Sequence, residues 1–365
     1  MSYSNRLYLY APFALLLLLA LGYSAYWYLV ANRIDAELER LNRSEAIPGV
    51  TLAFAEKRVG GFPFRFDITL EGVTLASTAD NGATAWRAER IALHAMSYGR
   101  ALYILEADGL QTFSWPRADG TLNILQVTPG IARASAYVVD GALARFDIDV
   151  LNVSGEDVSQ GAAPERNFSA ARAQLHLLAR DDNTMALVAS LDAAQIGSGY
   201  RPALGPDLSR VRIEGHFTEA QHFDTLRAGT AVMRDALEAW REAGGTLILN
   251  PIEAAWGGTQ LMGEGTLALD EEHHFAGTIS AHPEDPVSFL GALAQSEMIP
   301  ADARAQLQVF RQFAGAMPGT LDIPIRLEAT LPFGDAPVTP VLAFQQGPNA
   351  FATGMVVTFR SGAVP

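Results

Sequence analysis

The sequence predicts a mainly β protein: an N-terminal transmembrane helix followed by a large antiparallel β-sheet body, curved or split, with a few packed helices. Three observations predict it. Leu7 to Ala31 is a run of twenty-five residues without a charged side chain. Stretches of apolar–polar alternation recur from Phe62 to Leu331, the period-two signature of strands with one buried face. Glycines and short connections separate those stretches, which favours antiparallel meanders over the long crossovers of βαβ folds.

At about 1.5 Å of rise per residue, a helix over residues 7–31 is about 37 Å long, enough to cross a hydrocarbon core of about 30 Å with some tilt. Leu15 to Leu19 form its centre, and Tyr23, Tyr26, Trp27 and Tyr28 crowd one end, where amphipathic rings prefer the headgroup region. Ala20-Leu21-Gly22 has the small-x-small form of a signal-peptide cleavage site. The apolar run continues nine residues past Gly22, beyond the usual secretory apolar region, so an uncleaved signal-anchor is expected.

Arg6 precedes the span and Arg33, Arg40 and Arg43 follow it, so the positive-inside count does not orient it. The shortness of residues 1–6, read as a cytoplasmic tail, and the offset of the downstream arginines by Asp35, Glu37, Glu39 and Glu45 argue for an exported body. The expected location is the inner membrane, single-pass, with the C-terminal body in the periplasm.

A net charge of −14 and a pI near 4.9 argue against a phosphate-binding surface, so nucleic acid is not expected as a partner. The one lysine, Lys57, leaves the positive charge almost wholly to arginine. With no cysteine there is no disulfide and no thiolate chemistry, and the fold must rest on packing.

Along the body, residues 32–46 read as a juxtamembrane helix, with Ile34, Leu38 and Leu41 at helical spacing and Pro48-Gly49 ending it. Residues 47–200 read as a first β-rich lobe and 201–365 as a second, the loop Gly197 to Leu208 being the candidate boundary. Phe62, Phe64, Phe66, Ile68 and Leu70 alternate with polar neighbours after a Gly60-Gly61 turn, and the phase shifts at Gly72, as a bulge would require. Alternation returns at Phe146, Ile148 and Val150, at Ala173, Leu175 and Leu177, and at Val211, Ile213 and Phe217. Helical spacing appears near 222–243, from Phe223 to Trp240 before Gly244-Gly245, and near 286–316, broken at Pro300 with Leu307, Phe310 and Phe313 on one face. A late strand carries Leu321, Ile323, Ile325, Leu327, Ala329 and Leu331, and Pro324, which cannot donate to a ladder, implies an edge or a position directed outward. About fifteen strands exceed the ~10 an open twisted sheet tolerates before it curls or splits.

Tyr26-Trp27-Tyr28 at the end of the anchor, Gly61-Phe62-Pro63-Phe64-Arg65-Phe66-Asp67, and Ala85-Trp86-Arg87-Ala88 leading to Ile91 and Leu93 together resemble the uncharacterised bacterial family catalogued as domain of unknown function 2125. That resemblance implies placement and architecture and transfers no catalytic residue. More loosely, an anchor followed by a long β-rich envelope body is similar to the AsmA-like proteins, which implies lipid movement between membranes.

Asp270, Glu271, Glu272, His273, His274, His282, Glu284 and Asp285 invite a metal reading. Adjacent histidines on a strand point to opposite faces and no HExxH occurs, so a polar turn is the simpler reading and no metal or other cofactor is expected. Gly263-Glu264-Gly265-Thr266-Leu267-Ala268 fits the dinucleotide fingerprint in letters, but a strand follows where a helix should open. His94, His176 and His216 lie on alternating strands and read as solvent-face or rim residues. No GxSxG or P-loop is present, so no enzyme is expected.

What remains is binding. The expected partners are the lipid bilayer through residues 7–31 and a lipid or other hydrophobic ligand in the concavity of the sheet, in envelope maintenance. The candidate lining is Leu321, Ile323, Ile325 and Leu327 on the late strand and Phe62, Phe64 and Phe66 on the early one. The alternative is a structural or scaffolding protein, without a ligand, whose acidic surface meets an envelope protein.

Overall fold

The computed structural model of the chain describes residues 4–98, 101–117, 119–162, 164–200, 202, 204–271, 273, 275–295, 304–305, 308, 323–328, 338–346 and 353–361. For residues 4–9 and the last three stretches only the backbone is described.

One helix, α1 (Ser4–Leu41), runs unbroken through the apolar run and the amphipathic stretch behind it. Among the described residues it is the one helix long and apolar enough to cross a membrane. It stops at Leu41, short of the expected residue 46. Arg43 takes a left-handed φ of 61°, and the Asn42 side chain accepts from the Phe54 amide at 3.0 Å, which turns the chain into a strand.

That strand is β1 (Ser44–Ile47), and β2 (Val50–Ala53), β3 (Glu56–Gly60), β4 (Arg65–Ser77), β5 (Ala85–Met96), β6 (Leu102–Pro116), β7 (Leu122–Thr128), β8 (Ile131–Val139) and β9 (Ala142–Asp157) follow. The meander continues with β10 (Asn167–Ala179), β11 (Met185–Ile196), β12 (Asp207–Phe217), β13 (Leu247–Trp256), β14 (Thr259–Leu269) and β15 (Phe275–Pro283). It closes with β16 (Ile323–Glu328), β17 (Val338–Gln346) and β18 (Thr353–Ser361). β2 and β3 lie end to end along β4, and β7 and β8 lie end to end between β6 and β9. Neighbours pair antiparallel, except for the parallel pair β16–β18. β11 and β12 pair from Met185↔Phe217 to Gln195↔Asp207, across the loop expected to divide two lobes, so both halves share one sheet.

Two expectations change on the early and late strands. The strand begins at Arg65, not Phe62. Phe62, after a left-handed Gly61, lies in a turn with Phe64 and is 47% exposed. Phe64 is 63% exposed, whereas Phe66 is 6% exposed, so the three rings do not share a buried face. The late strand is not an edge: β16 has β15 on one side and β18 on the other. Its ladder with β18 begins only at Ile325, which leaves Pro324 free of that side.

Helical segments cover the far part of the same face. After a single turn at Ala220–Phe223 come α2 (Asp224–Arg227) and α3 (Met233–Glu242). The single expected helix is thus divided at Gly229, whose φ of 69° no ordinary helical residue adopts. Trp240 is fully buried among Phe223, Leu247, Leu249 and Leu267. α4 (Pro286–Gln295) buries Phe289, Leu290 and Leu293. Pro300, Leu307, Phe310, Phe313, Leu321, Ala329 and Leu331 lie outside the described residues.

An irregular line crosses the sheet. Left-handed residues occur at Gly72 on β4, Gly109 on β6, Asn152 on β9 and Ala193 on β11, and register shifts occur on β5–β6 near Ala88 and on β12–β13 near Leu208. Neighbouring positions line up across the ladder, so the apolar phase moves in step: Leu70 to Val73, Val150 to Val153, Leu191 to Ala194, and Leu208 to Val211. Bulges sharpen local bend and twist, and their alignment makes a crease.

The sheet curls toward its apolar face. β2 and β12 are eight ladder steps apart, about 38 Å on a flat sheet. Yet a Cβ on Gly49, at the β1–β2 turn, would lie 3.0 Å from Cγ1 of Val232, just before α3.

Candidate functional site

Below the crease the register sorts side chains into rows that cross many strands. One apolar row runs Ile68, Leu93, Leu105, Ala134, Ile148, Leu175, Ala189 and Ile213 from β4 to β12. The row beneath it includes Tyr103, Ala136, Phe146, Leu177 and Leu187. Leu93, Ala134, Phe146, Ile148, Leu175, Leu177 and Ala189 are half-buried and lie outside the four buried clusters seen among the described residues. These half-buried side chains form a continuous apolar floor across the sheet.

Walls rise on both sides of this floor. Along β3 and β4 the later half of α1 packs Trp27, Val30, Ala31 and Ile34 against Val59 and Phe66. Trp27 stacks on Phe66, ring centroids 5.4 Å apart at 17°, and its Nε1 donates to the Arg65 carbonyl at 3.0 Å. The Tyr23 hydroxyl bonds Ser97 Oγ at 2.7 Å, and Tyr28 stacks on Phe62 at 5.6 Å. Lys57 pairs with Asp35 at 2.9 Å and Glu39 at 3.3 Å, so the lone lysine clamps α1 to the sheet. Across the floor, α2 reaches β9 through Arg227 Nε, which donates to the Leu143 carbonyl at 2.7 Å.

The other face is charged and largely satisfies itself. His94 Nδ1 lies 2.6 Å from Asp67, Arg133 pairs with Glu106 at 2.7 Å, and Arg172 grips Asp149 through two bonds of 2.7 and 3.0 Å. The Arg172 contact holds the Asp149 carboxyl below its ordinary range. Burial would raise Asp147, but bonds from His176, Arg145 and Ser135 outweigh it and hold this carboxyl low. Ser135 bonds the carboxylate and not the imidazole, so this trio lacks the order of a nucleophilic triad, in which histidine stands between acid and hydroxyl. His216 is half-buried on β12.

The acidic–histidine stretch is dispersed by the fold. Asp285 caps α4, accepting from the Val287 and Ser288 amides at 3.0 and 3.1 Å. His273 Nε2 sits 2.9 Å from Glu238, and Glu272 and His274 lie outside the described residues. Gly263 to Ala268 lie inside strand β14, as their phase required.

The late candidate strand takes its place by backbone alone. Ile325 registers opposite Ile279 and Leu327 opposite Gly277; Ile279 packs against the cluster under α3. Leu321 lies outside the described residues. The sequence reading missed the floor on β6 and β8. Short alternations were visible there, but only register shows that they extend one another.

Above the crease a pocket of about 640 Å³ is lined by Gln126, Glu156, Asn167, Gln195 and Asp207 together with the apolar Leu110, Phe168, Ile196 and Pro206, so its wall is mixed in character.

Residues 27–335 match a family model described as uncharacterized protein conserved in bacteria, DUF2125. No curated protein and no solved structure matches the chain, and none of this extends to the AsmA-like proteins.

Proposed function

The chain belongs to the family of uncharacterised bacterial proteins DUF2125, and from that premise we propose a membrane-anchored envelope protein that holds lipid, or another hydrophobic ligand, on the apolar floor of its curled sheet. Its helix α1 is the single anchor, in the inner membrane, with the body in the periplasm. The observation that carries the reading is the half-buried apolar row from Leu93 to Ala189 between two helical walls. A concave apolar row with few polar groups along it is the kind of lining that suits a hydrophobic ligand.

The test is photocrosslinking in the membranes of cells that make the full chain. A benzophenone amino acid at Ile148, on the floor, should give an adduct of lipid mass; the same group at Ser190, on the charged face, should not. Ala134→Trp should lower the Ile148 adduct with little change in melting. If the floor is packed shut, the added bulk instead costs ~1–3 kcal/mol and no lipid adduct forms, which would favour the scaffolding alternative.

A further inference from the structure

We infer that the lower rim of the body is immersed in the bilayer that α1 crosses, so that the apolar floor opens directly onto lipid acyl chains. This rests on the reading of α1 as a spanning anchor.

The first support is length. The charged residues that bracket the apolar run are Arg6 and Arg33. A hydrocarbon core of about 30 Å takes about 20 helical residues. Counted forward from Leu7 these end at Tyr26; counted back from Asn32 they still end at Asn32. The boundary on the body side therefore falls between Tyr26 and Asn32, and any tilt moves it further toward the body.

The second support is attachment. α1 is already bonded to the body inside that limit through Tyr23 and Ser97, and within the boundary range through Trp27 and the Arg65 carbonyl. Leu7 to Tyr23 covers only about 24 Å. A body held clear of the membrane would require α1 to detach at Tyr23, yet the helix runs on without a break to Leu41.

The third support is composition. The turns and the β5 strand end at this level carry Phe62, Phe64, Met96 and Tyr98, all exposed, with Tyr98 at 58%. Exposed rings beside Tyr26 and Tyr28 are what the headgroup region favours. The floor begins just above them, at Tyr103 and Phe146.

The chain has no cysteine, so single-cysteine variants can carry a nitroxide at one site each. We would place it through Ala20→Cys, Phe64→Cys, Tyr98→Cys and Gln195→Cys in the full chain, in nanodiscs of phosphatidylethanolamine and phosphatidylglycerol. Accessibility to oxygen and to a water-soluble nickel chelate reads depth. The oxygen-to-nickel ratio should be highest at position 20, several-fold above position 195 at positions 64 and 98, and water-like at 195. Water-like values at 64 and 98 with a deep position 20 would overturn the rim inference and leave the anchor standing. A water-like position 20 would overturn the anchor and the inference together.

Discussion

Trp27 of the anchor lies flat on Phe66 of the first long strand, 5.4 Å between ring centroids, while its indole nitrogen holds the Arg65 carbonyl. α1 is thereby keyed to the sheet along its later half.

Phe66→Ala removes that stack from a site 6% exposed and should cost about 3–5 kcal/mol. Phe64→Ala, in the exposed turn two residues earlier, should stay within about 0.5 kcal/mol. Denaturant unfolding of the detergent-solubilised chain measures both. Equal losses would contradict the turn geometry.

Gly245 closes the α3 turn beneath Trp240. A Cβ there would fall 2.2 Å from Trp240 Nε1, which donates to the Thr218 carbonyl at 2.7 Å. Gly245→Ala must displace a fully buried ring and is expected to lose about 1–3 kcal/mol. Gly141→Ala, at a turn where nothing lies within 4 Å, pays only for its φ of 83° and should lose less.

Asp147 gives a pH signature. Its folded-state carboxyl is held below the ordinary value, so it adds stability that is present above the pH where an unfolded aspartate ionises, about 3.9. That contribution disappears as pH falls through the depressed folded value. The stability gap between the natural chain and Asp147→Asn should therefore be full at pH 5 and shrink below about pH 4. Urea unfolding at pH 5, 4 and 3 tests this, and a gap constant over the series would refute it.

Topology can be read directly. A reporter fused after Pro365 should be active in the periplasm only, and the mature N terminus should retain the residues before Tyr23. Cytoplasmic activity would reverse the orientation; a mature protein starting at Tyr23 would mean that Ala20-Leu21-Gly22 is cleaved.

Much of the secondary structure was legible because it depends on near neighbours. Alternation at Phe146 to Val150 and at Ala173 to Leu177 marked β9 and β10 and the correct inward residues. Gly72 announced its irregularity through a change of phase. The same pattern misled at Phe62 and Phe64, since period two continues through a turn as readily as through a strand. Gly229 was overlooked because the apolar spacing on its two sides happened to remain helical.

By itself the sequence determined the long apolar N-terminal helix, the mainly antiparallel β character and the apolar side of most strands, since each follows from hydrophobic pattern within one segment. The tertiary structure alone decided that apolar residues from eight strands line up in one row, from Ile68 to Ile213, and that Gly49 meets Val232 across the curl. It also placed the Phe62 turn against Trp27 and Tyr28 of α1. Those relations depend on the register between segments far apart in the chain, and on where α1 first bonds to the sheet, which no periodicity within a single strand encodes.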